Sequence, residues 1–438
     1  MPSPWIPETS EAAKNTAFFR VLDGLGSPSY LLSYASGLSP QLLHPPPSPM
    51  AIDILLIEEL LASESLWQQS PPSLRAEATA MVAALVQDCA QIPDLQSAIL
   101  LSPAAAASFR QHQLLPPQIV PVITNHGAAD WLLHPSLTPE SIRRLLILAP
   151  EFSSLLVDRL TAAQSSLWRQ TQVLNLSSAM AALFSDKYAT ATWLRKHSLP
   201  TPNTWPLTSS ARATLLDHSC QATPAATPKR RFVVKPRFGA GCDQVSLLQL
   251  EMNVAQQSQN SMRPLAAEAD WILQRRARGH ACSVSLIGQG TNRPAIILPP
   301  GWQRITRTSH GQLRYRGGQI PCEPDAAALI RHTASQFAAA LGPFCGWLGI
   351  DLVVSLGPTP RRNSAAVQII EINPRLCTSY IGYRRLTREN LVRHLLLLND
   401  PAVPIRWLTE SICFDADGGI SQRGNSGKRS GKSQQDDQ

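Results

Sequence analysis

The chain has 438 residues, and 44% of them are hydrophobic, which suffices for real cores and argues against a disordered protein. Its length exceeds that of one ordinary compact domain and fits two or three. The net charge is +8 but aromatic residues make up only 6%, so we expect no nucleic-acid partner, which needs a basic stripe interleaved with aromatics.

The first 180 residues alternate apolar segments with proline breaks. Residues 52–61 can form either a strand that passes into a helix or one buried helix, because periodicity does not separate such runs. From Leu74, apolar residues recur at spacings of three and four in an alanine-rich stretch, which predicts a helix. Short apolar segments that can be strands follow at 98–101, 119–123 and 145–148. This alternation predicts an α/β layer arrangement for residues 1–180.

From Ser185 onward the chain changes character. A helix is predicted to begin with Ser185 or Asp186 as N-cap and to end before Pro200. Later apolar runs predict strands at 231–236, 271–274, 283–287, 295–298, 349–354 and 367–372. The last two are separated by a polar loop and predict a hairpin.

The C-terminal part of the chain is predicted to close with a helix and to end in a tail. The helix spans residues 387–398, with Thr387 as its N-cap. The stretch rich in Gly, Ser and Gln that follows predicts a disordered tail at residues 413–438.

Eight cysteines are scattered without a C-x-x-C pair or a Cys/His zinc spacing, which indicates reduced thiols in a cytoplasmic protein. The N-terminus has no basic region followed by an apolar run, so we expect no signal peptide. No uncharged apolar stretch reaches the roughly 18 residues of a membrane helix, so we expect no membrane partner.

Lys235 ends an apolar strand and precedes a loop that contains Gly239 and Gly241. A lysine at a strand end, followed by a glycine loop, can present an ammonium group and backbone N–H groups to phosphates. The spacing is neither a Walker loop nor a dinucleotide fingerprint. Taken alone, the pattern also fits an ordinary turn.

Three oxygen-bearing side chains are predicted to meet on the hairpin. Asp351 lies inside an apolar run, where an unpaired carboxylate is costly to bury. Glu371 and Asn373 are two residues apart on an extended strand and project from one face. Together they form the donor set that magnesium takes alongside water and phosphates, and Arg375 could neutralise a transferring phosphoryl group. A solvated strand end with a structural Asn-Pro turn is the alternative.

The order of five segments resembles the ATP-grasp superfamily over residues 180–400. They are Lys187, KPRFGAG from Lys235, LQRRARGHACSVS from Leu273, GID from Gly349 and EINPR from Glu371. The resemblance implies an N-terminal α/β pre-ATP-grasp domain at 1–180 and a two-lobed α+β ATP-grasp domain at 181–412. The small lobe would span about 187–270 and the large lobe about 271–412.

The same resemblance implies roles for individual residues. ATP would be bound by the two lysines, the glycine loop and a hinge whose backbone contacts adenine, which are Lys187, Lys235, Gly239, Gly241, Gln274, Arg275, Arg276 and Ala277. Mg²⁺, or Mn²⁺ in its place, would be bound by Asp351, Glu371 and Asn373. Arg375 would be the catalytic residue that stabilises acyl-phosphate chemistry. Ala281 occupies the position where many members carry an acidic ribose contact, so that contact stays open.

A narrower resemblance points to the group that contains tyramine–glutamate ligase of the methanofuran pathway. It rests on EINPRLCTSYIGYRR, on YRGGQIP from Tyr315 and on LRAEATAMVAALVQD from Leu74. It implies a carboxylate–amine ligase of the EC 6.3 class that acts on glutamate or a similar amino acid in one-carbon cofactor biosynthesis. Arg384 or Arg385 would hold the second carboxylate of the substrate.

Two alternatives stay open at this point. The acceptor could be a pterin-like or peptide-like amine rather than tyramine. The chain could also be an ATP-binding regulatory or scaffold protein without ligase turnover. Small-molecule carboxylate and amine substrates are the expected partners, and a homodimer remains open.

Overall fold

The computed structural model describes residues 51–422 apart from several gaps, which are 125–136, 153, 166–167, 169, 209–229, 240–243, 251–269, 292, 309–310, 357–365 and 399–403. The chain divides into two compact units, Met1–Ser48 and Pro49–Gln438, and every described residue lies in the second. The predicted mixed α/β class is confirmed, with one parallel and two antiparallel sheets.

The first sheet, here called the N-terminal sheet, has five parallel strands in the order β3-β2-β1-β4-β5. Its strands are β1 (Ile54–Glu58), β2 (Ser97–Leu101), β3 (Ile119–Ile123), β4 (Arg144–Leu148) and β5 (Gln172–Val173). Every residue of β1 and β2 is buried, as expected for parallel strands covered on both faces. Of the two alternatives left open for residues 52–61, the structure shows the strand that passes into a helix.

Five α-helices surround this sheet: α1 (Glu59–Ala62), α2 (Glu64–Gln69), α3 (Pro72–Ala90), α4 (Pro103–Gln111) and α5 (Leu155–Ala163). The long helix predicted from Leu74 is α3. The strand order reverses at β1, between its neighbours β2 and β4. In an open α/β sheet such a reversal leaves a crevice at the carboxyl ends of the strands, where ligands commonly bind.

Two helices, α6 (Ser178–Ser185) and α7 (Lys187–Lys196), precede the small sheet. This antiparallel sheet has the order β6-β9-β7-β8, with β6 (Thr204–Pro206), β7 (Arg230–Pro236), β8 (Ser246–Leu250) and β9 (Trp271–Arg275). The predicted lobe boundary near residue 270 is wrong, because β9 pairs with β6 and β7. The chain leaves the small sheet only after Arg275.

The large sheet has eight strands in the order β15-β14-β10-β12-β13-β16-β17, with β11 paired to β10. They are β10 (His280–Gln289), β11 (Ile296–Ile297), β12 (Gly301–Arg307), β13 (Leu313–Ile320), β14 (Cys345–Val354), β15 (Val367–Asn373), β16 (Ile412–Phe414) and β17 (Ile420–Gln422). The remaining helices are α8 (Pro324–Leu341), α9 (Tyr380–Tyr383) and α10 (Leu391–Leu395). The predicted hairpin is β14–β15.

The C-terminal end of the described chain differs from the prediction. Strands β16 and β17 pair with each other, and β16 adds to β13, because Ile412 and Phe414 bury their side chains in the core. A disordered tail from residue 413 is therefore wrong as far as residue 422, and residues 423–438 lie outside the described residues. The closing helix is also shorter than predicted and begins after Asn390 rather than Thr387.

One hydrophobic core extends from the N-terminal sheet to the large sheet. It contains Ile54 and Leu146 from the first and Trp347 and Phe414 from the second. None of the helices in the described part of the chain combines the length and apolar character needed to cross a bilayer.

Candidate active site

Lys187 is held at the first turn of α7. Asp186 is the N-cap of this helix, and its carboxylate accepts hydrogen bonds from the N–H groups of Tyr188 at 2.9 Å and Ala189 at 3.1 Å. The same carboxylate is paired with Arg237, whose Nε lies 2.8 Å away and whose Nη2 lies 2.5 Å away. Cap and ion pair together fix the start of α7 against the end of β7, and so position Lys187.

Both predicted lysines contact the same carboxylate across the two sheets. The Nζ atom of Lys187 lies 3.2 Å from Oε1 of Glu371 and donates to the carbonyl oxygen of Gly239 at 2.6 Å. The Nζ atom of Lys235, at the end of β7, lies 3.4 Å from Oε2 of Glu371. Lysines from α7 and the small sheet thus converge on β15 of the large sheet.

Burial and mutual charge shift the pKa values of this cluster. Burial lowers the pKa of Lys235, the Glu371 carboxylate opposes that shift, and neighbouring Lys187 lowers the pKa further. The pKa of Glu371 is lowered even though burial alone would raise it, because two ammonium groups surround the carboxylate. Glu371 is therefore ionised at neutral pH.

Asp351 and Glu371 are directly opposite each other on the β14–β15 hairpin, next to an irregularity in the strand register. The Nδ2 atom of Asn373 donates to Oδ2 of Asp351 at 3.1 Å, and Nε2 of Gln303 donates to Oδ1 at 2.8 Å. Burial, and next the charge of Glu371, raise the pKa of Asp351 to about 6. The structure therefore brings the three predicted oxygen ligands together, and it adds Gln303.

The donor set fits magnesium bound together with a nucleotide better than a metal site made of protein alone. Within the described residues, no group of three or more His, Cys, Asp or Glu side chains could hold a metal ion. Two carboxylates and one amide, Asp351, Glu371 and Asn373, leave the remaining ligands to water and phosphate. Magnesium commonly takes such a shell of one or two carboxylates with phosphate oxygens and waters.

The predicted hinge is the link between the small and large sheets. Gln274 is buried and its Nε2 donates to Oγ1 of Thr204 at 3.0 Å, and the backbone N–H of Arg275 donates to the carbonyl of Asn203 at 2.8 Å. Arg276 and Ala277 then continue to β10. All four hinge residues line one cavity together with Lys235.

That cavity has a volume of about 680 Å³ and lies between the two sheets. Its walls include the metal-ligand candidates Asp351, Glu371 and Asn373, and Arg375. His280 and Ala281 also line the cavity. Ala281 occupies the position at which the family resemblance would place an acidic residue that binds the ribose. Gly239 lies beside Lys187, whereas Gly241 lies outside the described residues.

Arg375 is buried and held by Glu151, which lies beside the N-terminal sheet. Its Nε lies 2.9 Å from Oε1 of Glu151, and its Nη2 lies 3.1 Å from Oε2. Burial alone would lower the pKa of Arg375, but the Glu151 carboxylate raises it. Glu151 follows β4 at the carboxyl edge of the N-terminal sheet, so this edge supports the cavity wall.

Arg384 and Arg385, predicted to hold a substrate carboxylate, lie outside the lining of the cavity. Arg384 forms a buried two-point ion pair with Asp88 of α3, with Nε–Oδ2 at 2.9 Å and Nη2–Oδ1 at 2.5 Å. Arg385 is exposed, and neither arginine lines the cavity. Two adjacent cations after the motif gave no sign that an acidic residue 296 positions earlier pairs with one of them.

Sequence reasoning missed three acidic or amide residues of the site. Glu77 of α3 lines the cavity, Glu151 holds Arg375, and Gln303 contacts Asp351. Only Glu151 carries a local signal, since it is a carboxylate just past an apolar strand. The other two lie on an ordinary helix and on a strand that the apolar pattern did not predict.

Comparison with known proteins supports this fold. Residues 184–379 match a family model described as an ATP-grasp domain. A solved structure from Archaeoglobus fulgidus, assigned to the ATP-grasp superfamily, is 18% identical with a TM-score of 0.54, covering 83% of this chain and 92% of that chain. No curated protein matches the chain.

Two further solved structures are similar in fold. N5-carboxyaminoimidazole synthetase from Staphylococcus aureus, complexed with ADP, is 11% identical with a TM-score of 0.55, covering 84% of this chain and 83% of that chain. The biotin carboxylase domain of the 2-oxoglutarate carboxylase from Hydrogenobacter thermophilus is 11% identical with a TM-score of 0.56, covering 83% and 75%. At these identities the likeness concerns the fold, and the predicted ATP-grasp fold is confirmed.

Proposed function

We propose that this chain, in which residues 184–379 form an ATP-grasp domain, is an ATP- and magnesium-dependent carboxylate–amine ligase. The observation that carries the proposal is the convergence of Lys187 and Lys235 on Glu371, beside Asp351 and Asn373, at one cavity between two sheets. Cationic groups and hard oxygen donors at one point are what a transferring phosphoryl group needs.

The proposed reaction has two steps. An oxygen of the substrate carboxylate attacks the γ-phosphorus of ATP, and the bond between that phosphorus and the β-phosphate oxygen breaks. ADP departs, and the substrate becomes an acyl phosphate. The amine then attacks the acyl carbon, the carbon–oxygen bond breaks, and phosphate leaves while the amine loses a proton. The products are an amide, ADP and phosphate.

The residues of the chain act mainly by position and charge. Lys187 and Lys235 bind phosphate oxygens from the small-sheet side, with Gly239 beside Lys187, and the backbone of residues 274–277 binds adenine. Arg375, fixed by Glu151, stabilises charge on the transferring group. Magnesium bound by Asp351, Glu371 and Asn373 would supply further neutralisation of phosphate charge.

The solved neighbours support a nucleotide in the cavity. The Staphylococcus aureus structure is complexed with ADP, and the Hydrogenobacter thermophilus structure contains MgADP and bicarbonate. Glutamate or a similar amino acid is the proposed carboxylate substrate. One-carbon cofactor biosynthesis is the proposed pathway. Both follow from the motif resemblance to the tyramine–glutamate ligase group.

ADP release tests the proposal. The full chain is incubated with Mg²⁺ and ATP, with pooled amino acids, pooled amines, both or neither. We expect release only when both pools are present. Nucleotide binding without release under every pool would favour the ATP-binding regulatory protein instead, and absence of nucleotide binding would contradict the proposal.

A matched pair of variants links release to the site. Glu371→Gln removes a metal ligand and the partner of both lysines, so ADP release should fall by at least about 100-fold. Glu140→Gln makes the same change at an exposed position outside the cavity and should leave release unchanged. Normal turnover by Glu371→Gln would overturn the metal assignment.

A further inference from the structure

One carboxylate of the cavity has no role in the proposed chemistry. Glu77, on α3 of the N-terminal domain, lines the same cavity as Asp351, Glu371 and Arg375. Its Oε1 accepts a hydrogen bond from the hydroxyl of Thr378, which fixes the carboxylate against the segment that follows the Glu371–Arg375 motif. Among the described residues, Glu77 takes part in no ion pair, so its charge is not locally compensated.

Arg375, a cation near Glu77, is paired with a different carboxylate. Arg375 lies close enough for its pKa to be influenced by Glu77, but it makes a two-point contact with Glu151. Arg375 and Glu151 therefore form a neutral pair. Glu58, which also lies near Arg375, is protonated at neutral pH because burial raises its pKa to about 8. Glu77 is left as a carboxylate on the cavity wall that has no ion-pair partner among the described residues.

Hydroxyl groups also line the cavity. Thr378 donates its hydroxyl hydrogen to Glu77, Ser379 follows it in the chain, and the Oγ atoms of Ser379 and Ser285 are 3.2 Å apart. A carboxylate with neutral hydroxyl acceptors suits an ammonium group, whose three N–H donors need acceptors and no further cation. A phosphate or carboxylate group would instead meet repulsion from Glu77.

We propose that Glu77 and the adjacent hydroxyls form the subsite for the second substrate, and that this substrate is a primary amine that enters as a cation and passes one proton to the Glu77 carboxylate before its nitrogen attacks the acyl carbon. The inference rests on the proposed ligase function and identifies which wall of the cavity receives the amine. The N-terminal domain then selects the acceptor, while the ATP-grasp domain activates the carboxylate.

Matched ligand pairs test this subsite without knowledge of the natural substrate. The full chain with Mg²⁺ and a non-hydrolysable ATP analogue is titrated with 2-phenylethylamine and 2-phenylethanol, and with butylamine and 1-butanol, by ligand-observed NMR. We expect each amine to bind about tenfold more tightly than its alcohol. Equal binding within the pairs, or binding by no amine, would overturn the inference.

Variants assign the preference to Glu77. Glu77→Gln keeps an acceptor for Thr378 but removes the charge, so the amine preference should disappear while analogue affinity stays unchanged. Glu77→Asp and the exposed control Glu140→Gln should keep the preference. A preference for amines that survives Glu77→Gln would overturn the inference. If that variant does not fold, the matched amine and alcohol titrations of the wild-type protein still test the inference.

The two proposals fail separately. A preference for amines that depends on Glu77, without ADP release in any pool, would support the proposed subsite and refute the proposed ligase function. ADP release that needs an amine, without a Glu77-dependent preference for amines over alcohols, would support the proposed ligase function and refute the proposed subsite.

Discussion

Arg375 and Glu151 form a buried ion pair between the catalytic motif and the N-terminal sheet. Their side chains are 13% and 3% exposed, so each charge depends on the other for stabilisation. Removing one partner of a buried pair costs far more than the pair itself contributes, because an uncompensated charge stays behind. Glu151 is therefore a positioning residue for Arg375 as well as part of the core.

Glu151→Ala should lower the free energy of unfolding by about 3–5 kcal/mol because it leaves Arg375 buried and unpaired. The double variant Glu151→Ala/Arg375→Met should lose less than the sum of the single variants. Urea unfolding of the wild type, the two single variants and the double variant measures how strongly the two side chains depend on each other. Additive losses would show that the two side chains do not stabilise each other.

Glu58 makes stability depend on pH. Burial raises its pKa in the folded chain to about 8, from an ordinary value of 4.5. Between these two values the folded state holds a proton that the unfolded state has lost. Stability from this residue is therefore largest below about pH 4.5, falls as the pH rises and levels off above about pH 8.

Glu58→Gln removes this titration. Compared with the variant, the wild type should lose stability by up to about 1.4 kcal/mol per pH unit within that window. Urea unfolding of both proteins at pH 5, 6, 7 and 8 gives the difference. Parallel pH profiles would contradict the assignment, since the remaining titrating groups are common to both proteins.

At the scale of elements, helix α7 and strand β7 act together. Asp186 caps α7 and binds Arg237 just past β7, and the next residue, Lys187, contacts Glu371. The position of Lys187, which we propose binds ATP, is thus set by a helix cap. In sequence terms, an N-cap signal directly before a lysine marks both the helix start and the functional side chain.

Asp186→Ala should weaken ATP-analogue binding as well as stability, whose loss from the cap alone is about 1 kcal/mol. Ser177→Ala removes the N-cap of α6, whose side chain accepts from the N–H of Met180 at 3.3 Å, and should reduce stability only. Calorimetric titration and thermal unfolding of both variants measure the two effects. Equal analogue affinity in the two variants would refute the link between cap and site.

Local signals in the sequence predicted the elements that carry the proposed site, and they failed where distant pairing decides. The Asp186 cap and the β14–β15 hairpin follow from short patterns, and both are confirmed. The lobe boundary was wrong because β9, itself predicted as a strand, pairs with β6 and β7 of the small sheet. Strand β16 was missed because its partner β13 lies far along the chain, and the closing helix is shorter than predicted. The pairing of Arg375 with Glu151 and of Arg384 with Asp88 was likewise unpredictable, because the partners are distant in sequence.

At the scale of the whole molecule, the part of the chain that carries the N-terminal sheet contributes directly to the proposed site. A shared core joins it to the large sheet, Glu77 lines the cavity, and Glu151 holds Arg375. Asp88 adds a second connection: it binds Arg384, and its Oδ2 accepts from the hydroxyl of Tyr380 at 2.5 Å. We therefore expect both parts to unfold together.

Asp88→Ala should lower the free energy of unfolding by about 3–5 kcal/mol, since Arg384 stays buried without its partner. Unfolding should remain one transition, because the shared core couples the sheets. Circular dichroism and tryptophan fluorescence during urea unfolding measure this. Two separate transitions in the wild type would show that the domains are independent.

The most direct test of the central claim follows the oxygen atom of the activated carboxylate. The chain is incubated with Mg²⁺, ATP, pooled amines and pooled amino acids whose carboxylates carry ¹⁸O, and released phosphate is analysed by mass spectrometry. Acyl-phosphate chemistry predicts phosphate that carries one ¹⁸O atom, formed only when an amine is present. Unlabelled phosphate, or none under any pool, would contradict the account.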